Sequence, residues 1–543
     1  MVRSGVASLF LLLSFHCLLA QENRYMVFFS DKNNSVYSIN NPSAFLSTSA
    51  IERRHKNNIS VNETDLPVSN QYVLDVEELG AIAFHRTKWM NGVLVEMLPE
   101  LIPFVESLPF VSAVILVSEG SQLLKQELVR PPPLPPIINT TRNEETTTFQ
   151  NEMVGIPDMH SEDLRGEGIM IGLFDAGFPN LSRIDAFSHL IQNDQLMMTK
   201  DYTTNQVYVE DYDEHGLQVL SILAADRVDF KGIVPHADYL LFITEDNRLG
   251  TETPIEEYNW LFAAEAADSA GVDLISSSLG YNLFDAPFTD YAYEDMNGEN
   301  TVISRAAGLA VDKGIIVVTS AGNSGNNAWN YITAPADQPK AISVGSVMAN
   351  LDKSGFSSFG PNSNGHTKPD VMAFGSSTAT INSQGDVALA SGTSVAAPII
   401  AGLAAGLIQA IPEARHLEVA NAIRASGDNS LNINNSYGYG IPNFKTALNI
   451  LNRPDPVVRD NILVYPNPIT DNHVVIKFDD ANYGLKNELQ LISIDGKSLI
   501  NTEVTPNEIS DQIELNMAQY PAGIYLLVMV NANGKFTRKL IKY

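Results

Sequence analysis

Two hydrophobic rhythms alternate along the chain and divide it into blocks. Between residues 24 and 118, short apolar runs predict strands at Arg24 to Phe29, Gly92 to Leu98 and Val111 to Val117, with a helix over Pro99 to Leu108. This is a small α+β unit. From 151 to 450, continuous apolar runs alternate with helical periodicity. Gly168 to Phe174, Val272 to Ser276 and Gly314 to Val318 read as strands buried on both faces, and Glu257 to Ala270 and Val302 to Asp312 as helices between them. Strand, helix, strand in that order predicts a parallel α/β sheet, whose chemistry gathers at the carboxyl ends of its strands. From 458 to 543 short strands follow one another, at Asn461 to Tyr465, Val474 to Phe478, Glu488 to Ile494, Ile524 to Val530 and Lys535 to Lys542. Turns such as Asp495-Gly496 and Ala532-Asn533-Gly534 separate them, which predicts a sandwich-like all-β module.

The joints between blocks are proline-rich. Gln126 to Gln150 contains Pro131-Pro132-Pro133-Leu134-Pro135-Pro136, an extended spacer that no sheet or helix accepts. Asn452-Arg453-Pro454-Asp455-Pro456 marks the second boundary. Two apolar stretches invite a membrane reading. Val6 to Phe15 follows Arg3 and precedes Cys17-Leu18-Leu19-Ala20, so residues 1–20 read as an export signal cleaved after Ala20. The run is shorter than the roughly 20 residues that span a bilayer. Val395 to Pro412 carries no charge, but it is rich in Ala and Gly and interrupted by Pro398, which predicts a buried core helix. No stable transmembrane anchor is expected. The expected order is therefore a signal peptide at 1–20, an α+β domain at 21–125, a linker at 126–150, an α/β domain at 151–450 and a β-module at 458–543.

Charge narrows the partners. Lys and Arg number 34 against 63 Asp and Glu, a net charge of −29, and such a surface repels nucleic-acid phosphates and anionic membranes. The one cysteine, Cys17, lies inside the signal, so no disulfide framework is available.

Four segments carry candidate chemistry. Asp175 directly follows an apolar strand, and His215 opens a predicted helix after Asp213-Glu214. Ser394 stands in Ser391-Gly392-Thr393-Ser394-Val395-Ala396-Ala397-Pro398, at the start of the apolar helix, where a backbone N–H can face a developing oxyanion. Asn323, in Ser320-Ala321-Gly322-Asn323-Ser324-Gly325, offers an amide to the same oxyanion. Each has a plainer reading: a strand-end cap, a surface histidine, a helix N-cap, a turn residue.

Asp, His and Ser in that chain order, with Asn between His and Ser, resembles the subtilisin-like serine peptidases. Further matches are Gly271 to Gly280, Gly232-Ile233-Val234-Pro235-His236-Ala237, Phe356 to Gly360, Lys368-Pro369-Asp370-Val371 and Gly438-Tyr439-Gly440. The resemblance implies a subtilisin-like parallel sheet and peptide hydrolysis. Ser394 would be the nucleophile, His215 the base, Asp175 its orienting carboxylate and Asn323 the oxyanion donor. It further implies that Ser278, Leu279, Gly280, Ala321 and Gly322 bind substrate. No cofactor is required; structural calcium is common in the family, but no ligand set is assigned, although acidic stretches such as Asp211 to Glu214 exist. Ala176, Leu217 and Val395 depart from the residues usual after the catalytic Asp, His-Gly and Ser.

Residues 24–118 lie where this family carries an inhibitory propeptide, and their pattern resembles one. The last block runs through Tyr465-Pro466-Asn467-Pro468, Asp495-Gly496-Lys497 and Gly523-Ile524-Tyr525. It resembles the C-terminal sorting domain recognised by the type IX secretion system of Bacteroidetes. The implied partners are protein or peptide substrates, the chain's own propeptide and that machinery, in a secreted or cell-surface protein. Two alternatives stand beside this reading. A catalytically idle scaffold would be free to lose a triad member, and all four positions are filled; an esterase predicts Gly-x-Ser-x-Gly and the order Ser, Asp, His, both absent.

Overall fold

The computed structural model describes residues 22–120, 146–452 and 462–543, except 34, 211–212, 249, 471, 479–484, 495, 508–509 and 532–533. The expected signal peptide with Cys17, the proline run, Asp211, Asp495, Ala532, Asn533 and most of the second boundary lie outside these residues.

The N-terminal unit is an antiparallel sheet of β1 (Asn23–Phe29), β2 (Ile82–Thr87), β3 (Gly92–Met97) and β4 (Val111–Ser118) in the order β2-β3-β1-β4. Its two faces bury different partners. Tyr25, Val27, Val93 and Val95 cover the domain's own helices, whereas Met26, Leu94 and Val117 join a cluster with Ala263, Ala267 and Ala307 of the next domain. The alternation of side chains along a strand produces this division. The N-terminal sheet is thus docked on the helices Ile255–Ala270 and Val302–Asp312.

The central domain is a seven-stranded parallel sheet. Its strands are β5 (Met170–Asp175) and β6 (Leu196–Asp201), then, after a small hairpin of β7 (Asp226–Arg227) and β8 (Phe230–Lys231), β9 (Asp238–Ile243), β10 (Leu274–Ser277), β11 (Ile316–Ser320), β12 (Ile342–Val347) and β13 (Val371–Phe374). The order β13-β12-β11-β10-β5-β9-β6 means that the chain moves first to one side of β5 and then to the other. That reversal opens a crevice at the carboxyl ends of the central strands. Behind the sheet runs Thr393–Ala410, the uncharged helix, whose residues from Thr393 to Ile408 are all buried; it is a core helix, as its composition predicted. The packed domain begins earlier than the expected linker end at Gln150. Thr148–Met153 is already helical, with Gln150 buried and bonded to both backbone polar groups of Ala379.

The C-terminal module packs a three-stranded sheet against a four-stranded one around its own core, Val474, Ile476, Leu491 and Leu527 among others. Two of its strands, Ser498–Val504 and Gln512–Asn516, were not expected. The first is mostly exposed, so its sequence lacks the apolar repeat that marks a strand.

Candidate active site

Asp175 is the last residue of β5 and wholly buried; His215 is the first residue of the helix His215–Ala224. Gly216 lets the two meet. A Cβ there would lie 2.5 Å from the Gly177 carbonyl oxygen and 2.9 Å from the Asp175 Cβ, so a side chain would push the helix off the strand end. The close approach lets His215 Nδ1 bond Asp175 Oδ1 at 2.7 Å, and the same oxygen accepts the Ala176 N–H at 2.8 Å. The other carboxylate oxygen, Oδ2, is buried without a partner. The methyl of Ala176 stands where a hydroxyl is usual, consistent with that orphan. Asp213 Oδ1 accepts the His215 N–H at 2.8 Å and so seats the helix start. Burial alone would depress the imidazole, but Asp175 outweighs it and holds His215 up at about 9, with Glu245 and Asp213 acting in the same direction.

Ser394 is the second residue of Thr393–Ala410 and nearly buried. Its carbonyl faces the helical position of Pro398, which has no N–H to donate. The Ser278 hydroxyl supplies the missing bond at 2.7 Å, which ties the end of β10 to the serine's own backbone. Asn323 follows β11. Its Oδ1 accepts the Thr393 N–H at 2.8 Å and the Thr393 hydroxyl at 3.0 Å, so the amide orientation is set by a donor that cannot be reversed and Nδ2 points the other way. Gly392 shows what that amide faces: a Cβ there would lie 2.8 Å from Ser394 Oγ and 3.6 Å from Asn323 Nδ2. Any side chain at 392 would occupy the space these two groups share.

The structure therefore brings Asp175 to His215 and Ser394 to Asn323. Ser278 touches the backbone of Ser394, Leu279 is buried beside it, and Gly280 leads into Tyr281, which pairs with Ala334. The Ala321 N–H bonds Val344, and the Gly322 N–H bonds the Thr393 hydroxyl at 3.2 Å. His236, inside one of the matching segments, is exposed and bonded to Glu167. The sequence reading named Thr393 and Asp213 only as neighbours of Ser394 and His215, without a role of their own, and it did not name Glu245. Thr393 and Asp213 sit one and two residues from a singled-out side chain, and their small polar type beside a helix start was the available signal. Glu245 had none, because only the pairing of β5 with β9 brings it near His215. Among the described residues no group of three or more His, Cys, Asp or Glu is arranged to hold a metal ion.

Comparison with known proteins gives three matches along the chain. The subtilase family profile matches residues 166–440, the peptidase S8 propeptide domain of Bacteroidota residues 24–128, and the secretion system C-terminal sorting domain residues 463–543. Subtilisin DY of Bacillus licheniformis is 26% identical over 307 residues, covering 56% of this chain and 99% of its own. The alkaline protease of Shouchella clausii is 24% identical over 417 residues, 75% of this chain and 94% of its own. The subtilisin-like protease PopC of Myxococcus xanthus is 28% identical over 288 residues, 50% of this chain and 57% of its own. Among solved structures, the epidermin leader peptide processing serine protease of Staphylococcus aureus aligns with a TM-score of 0.54 at 17% identity, over 80% of this chain and 99% of its own. That likeness is one of fold.

Proposed function

The chain belongs to the subtilase family, and from that premise we propose that it cleaves peptide bonds through an acyl-enzyme on Ser394, with His215, Asp175 and Asn323 in the supporting roles. It is a serine-type endopeptidase made with an N-terminal propeptide domain, and its sorting domain marks a secreted or cell-surface protein. The observation that carries the assignment is the 2.7 Å bond between a fully buried Asp175 and His215, on the same crevice as Ser394 and Asn323.

A serine hydroxyl is a weak nucleophile until a base takes its proton. The His215 ring donates from Nδ1 to Asp175, which leaves Nε2 as the basic nitrogen for Ser394 Oγ. Attack on the scissile carbonyl forms the new C–O bond and moves the carbonyl electrons onto oxygen. Asn323 Nδ2 and the Ser394 N–H, which has no acceptor within its own helix, stabilise that oxyanion. His215 then protonates the departing amine, and water repeats the sequence to release the acid. Every step uses protein groups and water. Ser278 to Gly280 run along the crevice as the substrate's backbone partners, whereas Ala321 is buried and the N–H groups of Ala321 and Gly322 are held by Val344 and Thr393. The tail delivers the protein to the type IX secretion machinery.

The test is direct. A fluorophosphonate should label Ser394 alone, and Ser394→Ala should abolish casein cleavage while the protein stays folded. A Ser394→Ala variant that still digests casein would defeat the assignment.

A further inference from the structure

The two candidate catalytic pairs are built on different elements. Asp175 and His215 belong to β5 and to the helix His215–Ala224. Asn323 and Ser394 belong to the loop after β11 and to the helix Thr393–Ala410. Proton transfer between the pairs needs Ser394 Oγ and His215 Nε2 within hydrogen-bond reach, about 2.6–3.2 Å. The two helices share one apolar cluster, through Leu220 and Ala397 among others, but apolar contact is non-directional. Registering one pair against the other calls for directional bonds.

A hairpin supplies them. Its strands β14 (Thr378–Ile381) and β15 (Val387–Ala390) pair antiparallel, and β15 runs directly into Ser391-Gly392-Thr393-Ser394. The hairpin therefore belongs to the nucleophile's side of the crevice. β14 lies along the helix of His215, where Ser221 Oγ accepts the Ile381 N–H at 3.0 Å. The turn is braced by Asn382, whose Oδ1 accepts the N–H groups of Gln384 and Asp386 at 3.0 and 2.9 Å. At the entry to that turn Ser383 is bonded through its N–H, its hydroxyl and its carbonyl. The first two donate to Glu214 Oε2 at 3.0 and 2.6 Å, and the carbonyl accepts Asn180 Nδ2 at 3.0 Å. Glu214 is the residue before His215, and Asn180 stands on the loop that follows Asp175. Neither partner is loose: Glu214 Oε1 accepts Gln218 Nε2 at 3.0 Å, and Asn180 Oδ1 accepts Arg183 Nη1 at 2.6 Å. One serine thus meets the segments of Asp175 and His215, on a hairpin that ends in Ser394.

We propose that Glu214 is a positioning residue for the reaction: by clamping Ser383 it sets the hairpin, and with it Ser394, at the distance from His215 that proton transfer requires. The inference rests on the reading of Ser394 as the nucleophile. Glu214 acts through its bonds and not through its charge on the ring. The carboxylates that raise the imidazole are chiefly Asp175, Glu245 and Asp213, and the two Glu214 oxygens are engaged by Ser383 and Gln218. The clamp needs an acceptor oxygen, not a negative charge. Glutamine can therefore serve in it, with Gln218 turning its own amide to match, and alanine cannot.

The full chain, once processed, is tested on a peptide anilide and with a fluorophosphonate. Glu214→Ala should lower kcat by about tenfold to a hundredfold, the order that a misplacement of about 1 Å costs, with KM within about twofold. Labelling of Ser394 should slow by the same factor, since it needs the same proton transfer. The pH midpoint of kcat/KM should stay where it is, and Glu214→Gln should recover the rate to within about threefold. Ser383 is a half-buried turn residue, and Ser383→Ala leaves its N–H bond in place. That variant should cost about threefold to tenfold in kcat, and it decides the matter should Glu214→Ala fail to fold. Full rates in Glu214→Ala, or in Ser383→Ala where it alone folds, would overturn the clamp. So would a Glu214→Gln variant as slow as Glu214→Ala with a displaced pH midpoint, which would make Glu214 a source of charge. A loss confined to KM would overturn it too, by making Glu214 a substrate contact. An unlabelled Ser394 in the unaltered chain would instead remove the peptidase reading on which the clamp stands.

Discussion

His215 concentrates the chemistry of the crevice in one ring. In the proposed mechanism its neutral form is the base, yet the Asp175 carboxylate holds the imidazole at about 9 against the depression that burial alone would cause. Below that value the neutral fraction grows about tenfold per pH unit. On an uncharged peptide, kcat/KM should therefore climb from about pH 6 to about 9 and then level. A profile already flat at neutrality would mean that the ion pair is weaker than its 2.7 Å bond implies. Stability moves the opposite way. A folded value raised above the ordinary histidine value contributes fully below about pH 6.5 and is lost as pH rises through about 9. The same proton thus favours the fold at low pH and idles the catalyst. Near by, Thr393 orients rather than reacts, because both of its donors hold Asn323 Oδ1 and so turn Nδ2 toward the serine.

The helix Ile255–Ala270 is the element that joins the two halves of the precursor. One face packs on the sheet that carries Asp175. The other presents Glu265, which accepts the Thr87 hydroxyl and the N–H groups of Lys88 and Trp89, and Asp268, which is bonded to Arg53, Arg54 and Lys88. Asp268 is fully buried; burial alone would raise its carboxyl, but the three cations outweigh that and hold it far below the usual range. Removing one partner of a buried ion network costs about 3–5 kcal/mol, since the remaining charges stay desolvated. A Ser394→Ala chain cut between its two domains, at a protease site introduced within residues 121–145, should keep its N-terminal domain bound. Adding Asp268→Ala should weaken that complex by about 10²–10³ in Kd, read by titration of the cut halves. Affinity unchanged by the substitution would assign the grip to the apolar contacts of Met26, Leu94 and Val117 instead.

At the scale of the molecule, the residues from 462 to 543 make a core of their own. Among the described residues the cluster built on Ile462, Val474, Leu491 and Leu540 contains nothing from the central domain, and Asp175, His215, Asn323 and Ser394 all precede it. A chain ended at Asn452 should therefore fold and hydrolyse a small peptide at the full-length rate, while the native host retains it in the periplasm. Loss of peptide cleavage in a truncated protein with an intact thermal transition would show that the β-module shapes the crevice. Among the described residues the central domain has by contrast two large clusters, one on each face of its sheet as a parallel sheet requires, and a small third one of Ala321, Ile332 and Ala336.

By itself, the sequence determined the local structure and pointed to the candidate reacting groups. Apolar runs and helical periodicity placed the strand before Asp175, the helix Val302–Asp312 and the buried helix behind Ser394, because burial on both faces leaves a legible hydrophobic signature. The residues around Asp175, His215, Asn323 and Ser394 were legible because a strand end or helix start needs particular neighbours, Gly216 and Gly392 among them. Strand order was not legible. Only the reversal about β5 brings Asp175, separated from Ser394 by more than two hundred residues, into one crevice with it. The same strand order carries Glu245 to His215, a meeting of distant segments that no local pattern encodes. Charge carries no periodicity of its own, so which carboxylates become neighbours is decided by the tertiary structure alone.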